Sequence, residues 1–369
     1  MSSSSLITLG GALAVIIILG ALAWVSVLLK GVAPLSPAPS ASIAASSQQY
    51  LQDAHQAYER NDFSTAISDA DAALAQNPTD VSALVAKATY LAQKGSLTFN
   101  EKEYGAQAIT VAQQALAIDP QSAEAWRVIG YADEIMQNYA AAEAAYEKSL
   151  ALDPQNALTL SQQAHAFDLQ GNTAKAEAGY RAALTIDPTL DQAKMGLAGI
   201  LVQNGDLTDA LPLYAATSHD SPNTRVRAEA AYSAGMIDNA LKQLAEAEHL
   251  MQSATFIDPA YPLGWVGLGV VLFNEAIATS SDLSATSRQS LVSASLQSLE
   301  KAIGLNQYQS AAYYQMGVEL AALGQPTAAK FLDEAATIVP KDITLSVPEK
   351  QALLSRIKYA RALPVRSSP

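Results

Sequence analysis

The sequence predicts an all-α chain built from repeated helix pairs, on three observations. Half of the residues are hydrophobic, yet only 7% are aromatic and 15% charged. Alanine supplies much of that apolar half, which suits closely packed helices and leaves few bulky strand formers. A proline recurs every 34 residues, at Pro120, Pro154, Pro188 and Pro222, where its missing N–H stops a helix. Small residues recur at fixed offsets between these prolines. A length of 369 residues leaves room for two ordinary domains or one elongated array, and the period selects the array.

From the N-terminus, Leu6 to Leu29 carries no charge and is long enough as a helix to cross a hydrocarbon core of roughly 30 Å. No Lys or Arg precedes it, and the small-residue stretch Ser42-Ile43-Ala44 lies far beyond it. An uncleaved single-pass anchor over residues 1–30 is therefore expected rather than a signal peptide. Trp24 suits an interface and Lys30 marks the exit, but one lysine leaves the side of the soluble part open. Residues 31–46, rich in Pro, Ala and Ser, read as a spacer.

The repeats occupy residues 47–340. LAIDP, LALDP and LTIDP end at Pro120, Pro154 and Pro188, with weaker counterparts ending at Pro78, Pro259 and Pro340. Ala142, Ala176 and Ala210 lie twelve residues before their closing prolines, and Tyr146, Tyr180 and Tyr214 lie eight before. Trp126 and Trp265 open first helices, with Gly130 and Gly269 four residues later. Gly171, Gly205, Gly235 and Gly324 are expected at turns between paired helices, where a left-handed cap favours glycine.

In these residues the chain resembles the tetratricopeptide repeat family, whose 34-residue pattern runs from a Trp through Leu-Gly, an aromatic and small alanines to a closing Pro. The resemblance covers about eight repeats and implies a right-handed superhelical solenoid. Four irregularities are expected: a longer inter-helix loop around Gly95 to Tyr104 in the second repeat, a short first helix Thr224 to Ala234 with a long second one in the sixth, a loop-like insertion at Ala278 to Arg288 in the seventh, and an eighth repeat one residue short. Residues 341–369 read as a capping helix and tail: Ser346 and Glu349 form a capping box, and Leu353, Leu354 and Ile357 an apolar stripe. This segment carries a net charge of +4 against −18 for residues 47–340. It is read chiefly as a soluble cap, with contact to anionic lipid or an acidic partner as the sharper alternative.

Chemistry is sparse. The absence of cysteine excludes disulfides, thiol nucleophiles and Cys-ligated metal. The four histidines show no metal-ligand spacing, and Gly264, Gly267 and Gly269 fall inside a helix rather than after a strand. No catalytic residue, cofactor or metal is expected, and a net charge of −13 disfavours nucleic acid. The resemblance implies instead a concave groove lined by first helices and bound by a partner protein or peptide. By repeat position its exposed residues are expected to be His55 and Tyr58 in the first repeat; Arg127, Tyr131 and Glu134 in the third; Ser161, His165 and Asp168 in the fourth; and Met195, Gly199 and Gln203 in the fifth. Chaperone-binding members carry an Asn for a carboxylate clamp where this chain has His, Thr, Tyr, His and Gly, so a clamp is not expected. The function expected is a membrane-anchored, non-enzymatic scaffold. The alternatives are a tethered sensor of a small molecule or cell-wall fragment, requiring a closed apolar pocket, and an accessory subunit of an enzyme or secretion complex.

Overall fold

The period becomes structure through one turn made again and again. In the computed structural model, which describes residues 41–98, 100–278, 283–342, 345 and 347–362, an Asp or Asn precedes six of the eight closing positions and accepts a hydrogen bond from the backbone N–H two residues on. Asn77, Asp119, Asp153, Asp187 and Asp258 do so before proline, and Asn306 does so before Gln307. Each such side chain supplies a local acceptor, and the proline cannot continue the helix. The chain must turn there.

Among the described residues seventeen α-helices result: eight pairs and one more. The pairs are α1 (Ala41–Glu59) with α2 (Phe63–Gln76), α3 (Val81–Thr98) with α4 (Glu101–Ile118), α5 (Ala123–Ile135) with α6 (Tyr139–Leu152), and α7 (Ala157–Leu169) with α8 (Thr173–Ile186). They continue with α9 (Asp191–Asn204) and α10 (Leu207–Asp220), α11 (Thr224–Ala240) and α12 (Leu244–Ile257), α13 (Pro262–Ile277) and α14 (Ala285–Leu305), and α15 (Ser310–Ala322) and α16 (Ala328–Ile338). After a single 3-10 turn, α17 (Val347–Ala362) follows. Each pair packs on the next to form a helical solenoid.

Packing follows from residue size. Ala66, Ala108, Ala142, Ala176 and Ala210 are buried on second helices, as are Tyr146, Tyr180 and Tyr214. The rings fill space that glycines leave open on first helices. A Cβ at Gly196 would sit 2.2 Å from Tyr180 Cζ, and one at Gly130 would sit 2.6 Å from Tyr146 Cδ1. Small residue and ring are therefore complementary halves of one contact.

The turn inside six of the eight pairs uses a left-handed residue among the described residues. Gly171, Gly205 and Gly324 hold φ of 75°, 87° and 71°, while Asn61, Gln137 and Lys242 take that conformation elsewhere at 59°, 65° and 67°. A Cβ there is strained by roughly 1–2 kcal/mol, partly offset by the greater backbone entropy that glycine loses on folding. Gln137→Gly and Lys242→Gly are expected to stabilise by about 0.5 kcal/mol each, read as a higher urea midpoint at unchanged m-value. Gly235 is different: it lies inside α11, with Met251 and Leu250 pressed against it.

Where the irregular repeats are described, added residues lengthen helices; residues 279–282 of the insertion expected at Ala278 to Arg288 lie outside the described residues, and its last part from Ala285 is helical. In the second repeat α3 and α4 each run 18 residues and leave only two between them. In the sixth, the first helix is the long one, at 17 residues, and the second has 14. In the seventh, α14 reaches 21 residues. Continuing a helix keeps each added backbone group hydrogen-bonded, which an open loop does not.

At the C-terminal end α17 covers the last repeat. Ile357 is buried against Leu332, Ala335 and Val339, Arg361 pairs with Asp333 and donates to the Leu332 carbonyl, and Leu354 stays exposed. Ser346 of the expected capping box lies outside the described residues. So do the expected membrane span and residues 31–40 of the expected spacer; α1 begins at Ala41, so residues 41–46 are helical. No helix among the described residues is long and apolar enough to cross a membrane.

Candidate partner-binding groove

Neighbouring repeats touch first helix to first helix (α1 to α3, α3 to α5, α5 to α7, α7 to α9, α11 to α13, α13 to α15) and second helix to the following first helix. A curved stack is tightest on its inner side, so the first helices form the concave face. Along that face the chemistry changes. Repeats one to four present polar and titratable groups, whereas repeats six to eight present Tyr232, Met236, Val266, Val270 and Tyr314 around a cavity of about 400 Å³ that α17 borders with Leu353 and Arg356.

The polar half is built in pairs. Tyr90 stacks on Tyr58 with ring centroids 4.9 Å apart, and its hydroxyl lies 2.8 Å from His55 Nδ1. Tyr131 donates to Gln93 Oε1 at 2.9 Å. Arg127 donates through Nε to Glu124 at 2.7 Å and through Nη1 to Gln162 at 3.2 Å. Glu134 accepts from the Tyr146 hydroxyl at 2.8 Å and meets His165 Nδ1 at 2.7 Å. Most of these bonds join residues 31–38 apart, so they tie consecutive first helices together.

Three expected groove residues are not exposed. Arg127 and Glu134 retain 7% and 4% of their accessible surface, and Ser161 none. Neighbouring first helices approach closely enough to cover them, and the two charges are compensated by the hydrogen bonds just described. They position the groove instead of forming its surface. His55 and Gln203 are exposed, while Tyr58, Tyr131, His165, Asp168, Met195 and Gly199 are half-buried. Tyr90, Gln93, Gln162 and Tyr146 complete the network and were not expected there. Tyr90 stands one residue past Thr89, the position of the second repeat that lies 34 residues after His55, so the period does not single it out.

Electrostatics follow from the burial. Burial pushes the Tyr90 and Tyr131 hydroxyls up to about 12, so both remain donors throughout the physiological range. At His165 burial opposes protonation, but the Glu134 hydrogen bond and the Glu134 and Asp168 charges outweigh it and raise the pKa. His165 thus takes up its proton at higher pH than a free imidazole does. Among the described residues no group of three or more His, Asp or Glu side chains is placed to hold a metal ion.

Family models described as tetratricopeptide repeat match residues 51–105, 123–156 and 169–234. This chain carries tetratricopeptide repeats. No curated protein matches it. Among solved structures, a chain of the APC/C hetero-tetramer Cut9-Hcn1 is similar, with a TM-score of 0.60 and 15% identity over 86% of this chain and 57% of that one. The present chain thus spans little more than half of that protein's length, and the likeness shows the fold alone. TTC0263, a tetratricopeptide repeat protein of Thermus thermophilus, is 22% identical over 52% of this chain and 99% of its own, with a TM-score of 0.46. PilF of Pseudomonas aeruginosa is 17% identical over 64% and 98%, with a TM-score of 0.47.

Proposed function

We propose that the chain is a non-enzymatic scaffold whose repeats bind a protein or peptide partner along the concave face of repeats one to five, and that Leu6 to Leu29 holds it at a membrane. Tetratricopeptide repeats suggest a protein-interaction scaffold. The observation that carries the groove assignment is the row of rings at His55, Tyr58, Tyr131 and His165, each at least partly exposed, with three of them hydrogen-bonded to other side chains and Tyr58 stacked on Tyr90. Rings already fixed lose little entropy on binding, and Tyr is among the residue types richest in interface hot spots. Support for the anchor is the uncharged length of Leu6 to Leu29.

The cavity between repeats six to eight and α17 favours one second reading, a sensor of a small amphiphile. Its volume, about 400 Å³, falls in the range of ligand sites. Because it opens to solvent, it also accepts an apolar side chain of a bound protein, and we keep the scaffold as the primary reading.

A photo-crosslinker placed at Gln203 on α9 or at Gln114 on α4, in full-length protein in native membranes, separates the possibilities. Adducts to a discrete polypeptide are expected from Gln203 and not from Gln114. Equal adducts from both sites contradict the groove. The same protein lacking residues 1–30 is expected in the soluble fraction, and its retention on membranes contradicts the anchor.

A further inference from the structure

Outside the groove, the turn edge of repeats six and seven gathers carboxylates that no ion pair of the described residues neutralises. Asp238, near the end of α11, is only 4% exposed, yet its Oδ1 has no hydrogen-bond partner. It lines a cavity of about 420 Å³ with Ala245, Glu246, His249 and Leu250 of α12. Alongside, an Asn274–Asn239 hydrogen bond of 2.9 Å joins α13 to α11. Next to it Glu275 faces Glu248, and Glu275 Oε2 is likewise buried and unpartnered. The ion pairs of the described residues include none of these four carboxylates.

A buried carboxyl oxygen without a partner costs about 1–3 kcal/mol or more, so such a group requires explanation. Protonation does not remove the cost at Asp238, because Oδ1 has neither a donor nor an acceptor within reach. The other aspartate at this turn position is instructive: Asp133, in the third repeat, receives a hydrogen bond from Asn138 Nδ2 at 3.2 Å, where the sixth repeat has Gln243. What the sixth repeat lacks is a donor, and its surroundings are acidic.

We propose that this edge cavity receives the guanidinium of an arginine on a partner protein, held between Asp238 and Glu246 as a contact separate from the concave groove. A guanidinium offers five N–H donors in a flat fork and serves two carboxylates at once, and both Asp238 and Glu246 line the cavity. Among the described residues no group of three or more acidic or imidazole side chains is placed to hold a metal ion. Leu250 and Ala245 offer apolar surface for the methylene stem. Burial and Glu246 raise the Asp238 pKa, so acid that protonates this carboxyl weakens the binding of a cation.

Fluorescence anisotropy of a labelled Gly-Arg-Gly peptide titrated with the full-length protein tests this, with the citrulline peptide as an uncharged control of the same shape. Saturable binding is expected for the arginine peptide alone, weakened at least tenfold by Asp238→Asn and by Glu246→Gln. The second variant alters an exposed residue, and a melting curve taken beside each titration separates lost binding from lost fold. Glu101→Gln, which removes the same charge at another place, is expected to bind normally. Equal binding of the citrulline peptide, equal weakening by Glu101→Gln, or unchanged binding in both edge variants overturns the proposal. Displacement of the peptide by submillimolar calcium or magnesium would make the cavity a metal site and overturn it as well.

Discussion

Tyr146→Ala is expected to destabilise the central repeats by about 3–5 kcal/mol, the usual cost of deleting a buried ring. The ring is fully buried and fills the space above Gly130. Its hydroxyl also serves Glu134, whose carboxyl would lose a buried donor, adding to the penalty. Repeats in a solenoid are coupled to their neighbours, so the loss should appear as a shift of the whole transition rather than melting of one pair. A fall in Tm on the order of 10 °C follows for a unit of this size. Ala142→Leu and Ala176→Leu attack the same contact from the opposite side by overpacking, at about 1–3 kcal/mol. Wild-type melting curves for Tyr146→Ala would mean that ring and glycine do not meet as described.

The second large effect is one of pH. Glu319 on α15 is fully buried; its Oε2 lies 2.7 Å from Ser295 Oγ and its Oε1 accepts from Gln315 Nε2 at 3.0 Å. Ser295 Oγ also lies 2.8 Å from the Gly269 carbonyl. A hydroxyl has a single hydrogen for these two acceptors, so both contacts are satisfied together only when Glu319 carries a proton and donates to Ser295. Burial pushes the Glu319 carboxyl up to about 7, with the Ser295 and Gln315 hydrogen bonds pulling weakly the other way. In the unfolded chain it titrates near its ordinary value of 4.5. The folded state therefore holds a proton that the unfolded state has released between these values, and stability falls as pH rises through that window. The contribution is complete below pH ~4.5 and lost above pH ~7, a change of about 3 kcal/mol. Glu319→Gln keeps the shape and removes the titration. Wild type and variant are expected to be similar at pH 5, with the variant more stable at pH 8. A stability difference that does not vary with pH would show that Glu319 is ionised throughout.

What the sequence reveals and conceals here has a physical pattern. The repeat register was legible because most turns are local: in five of them an Asp or Asn, a Pro and a two-residue reach determine the turn, and all are adjacent in sequence. Alanine and glycine positions were legible for the same reason, since small residues at a fixed period have one packing use. Helix lengths in the second, sixth and seventh repeats were not legible, because an inserted stretch can prolong a helix or open a loop with little change in composition. Burial of Arg127, Glu134 and Ser161 was hidden more deeply. Arg127 is satisfied partly by Gln162 and Glu134 by His165, partners in the next repeat, and a polar residue at a groove position looks the same in sequence whether solvent or a neighbouring helix meets it. The exposed part of the row, from His55 to Gln203, follows the period and could be read.

The claim that the concave rings bind the partner is tested most directly by affinity measured beside stability. Once the crosslinked partner is in hand, Tyr131→Ala is to be titrated against it together with Tyr146→Ala and wild type, each with its melting curve. Loss of a central aromatic anchor typically costs about 2 kcal/mol, or roughly thirtyfold in Kd. The expected result is a roughly thirtyfold weaker Kd for Tyr131→Ala, with a much smaller loss of Tm than Tyr146→Ala shows. Wild-type affinity for a folded Tyr131→Ala protein would contradict the groove and move the binding surface elsewhere on the solenoid.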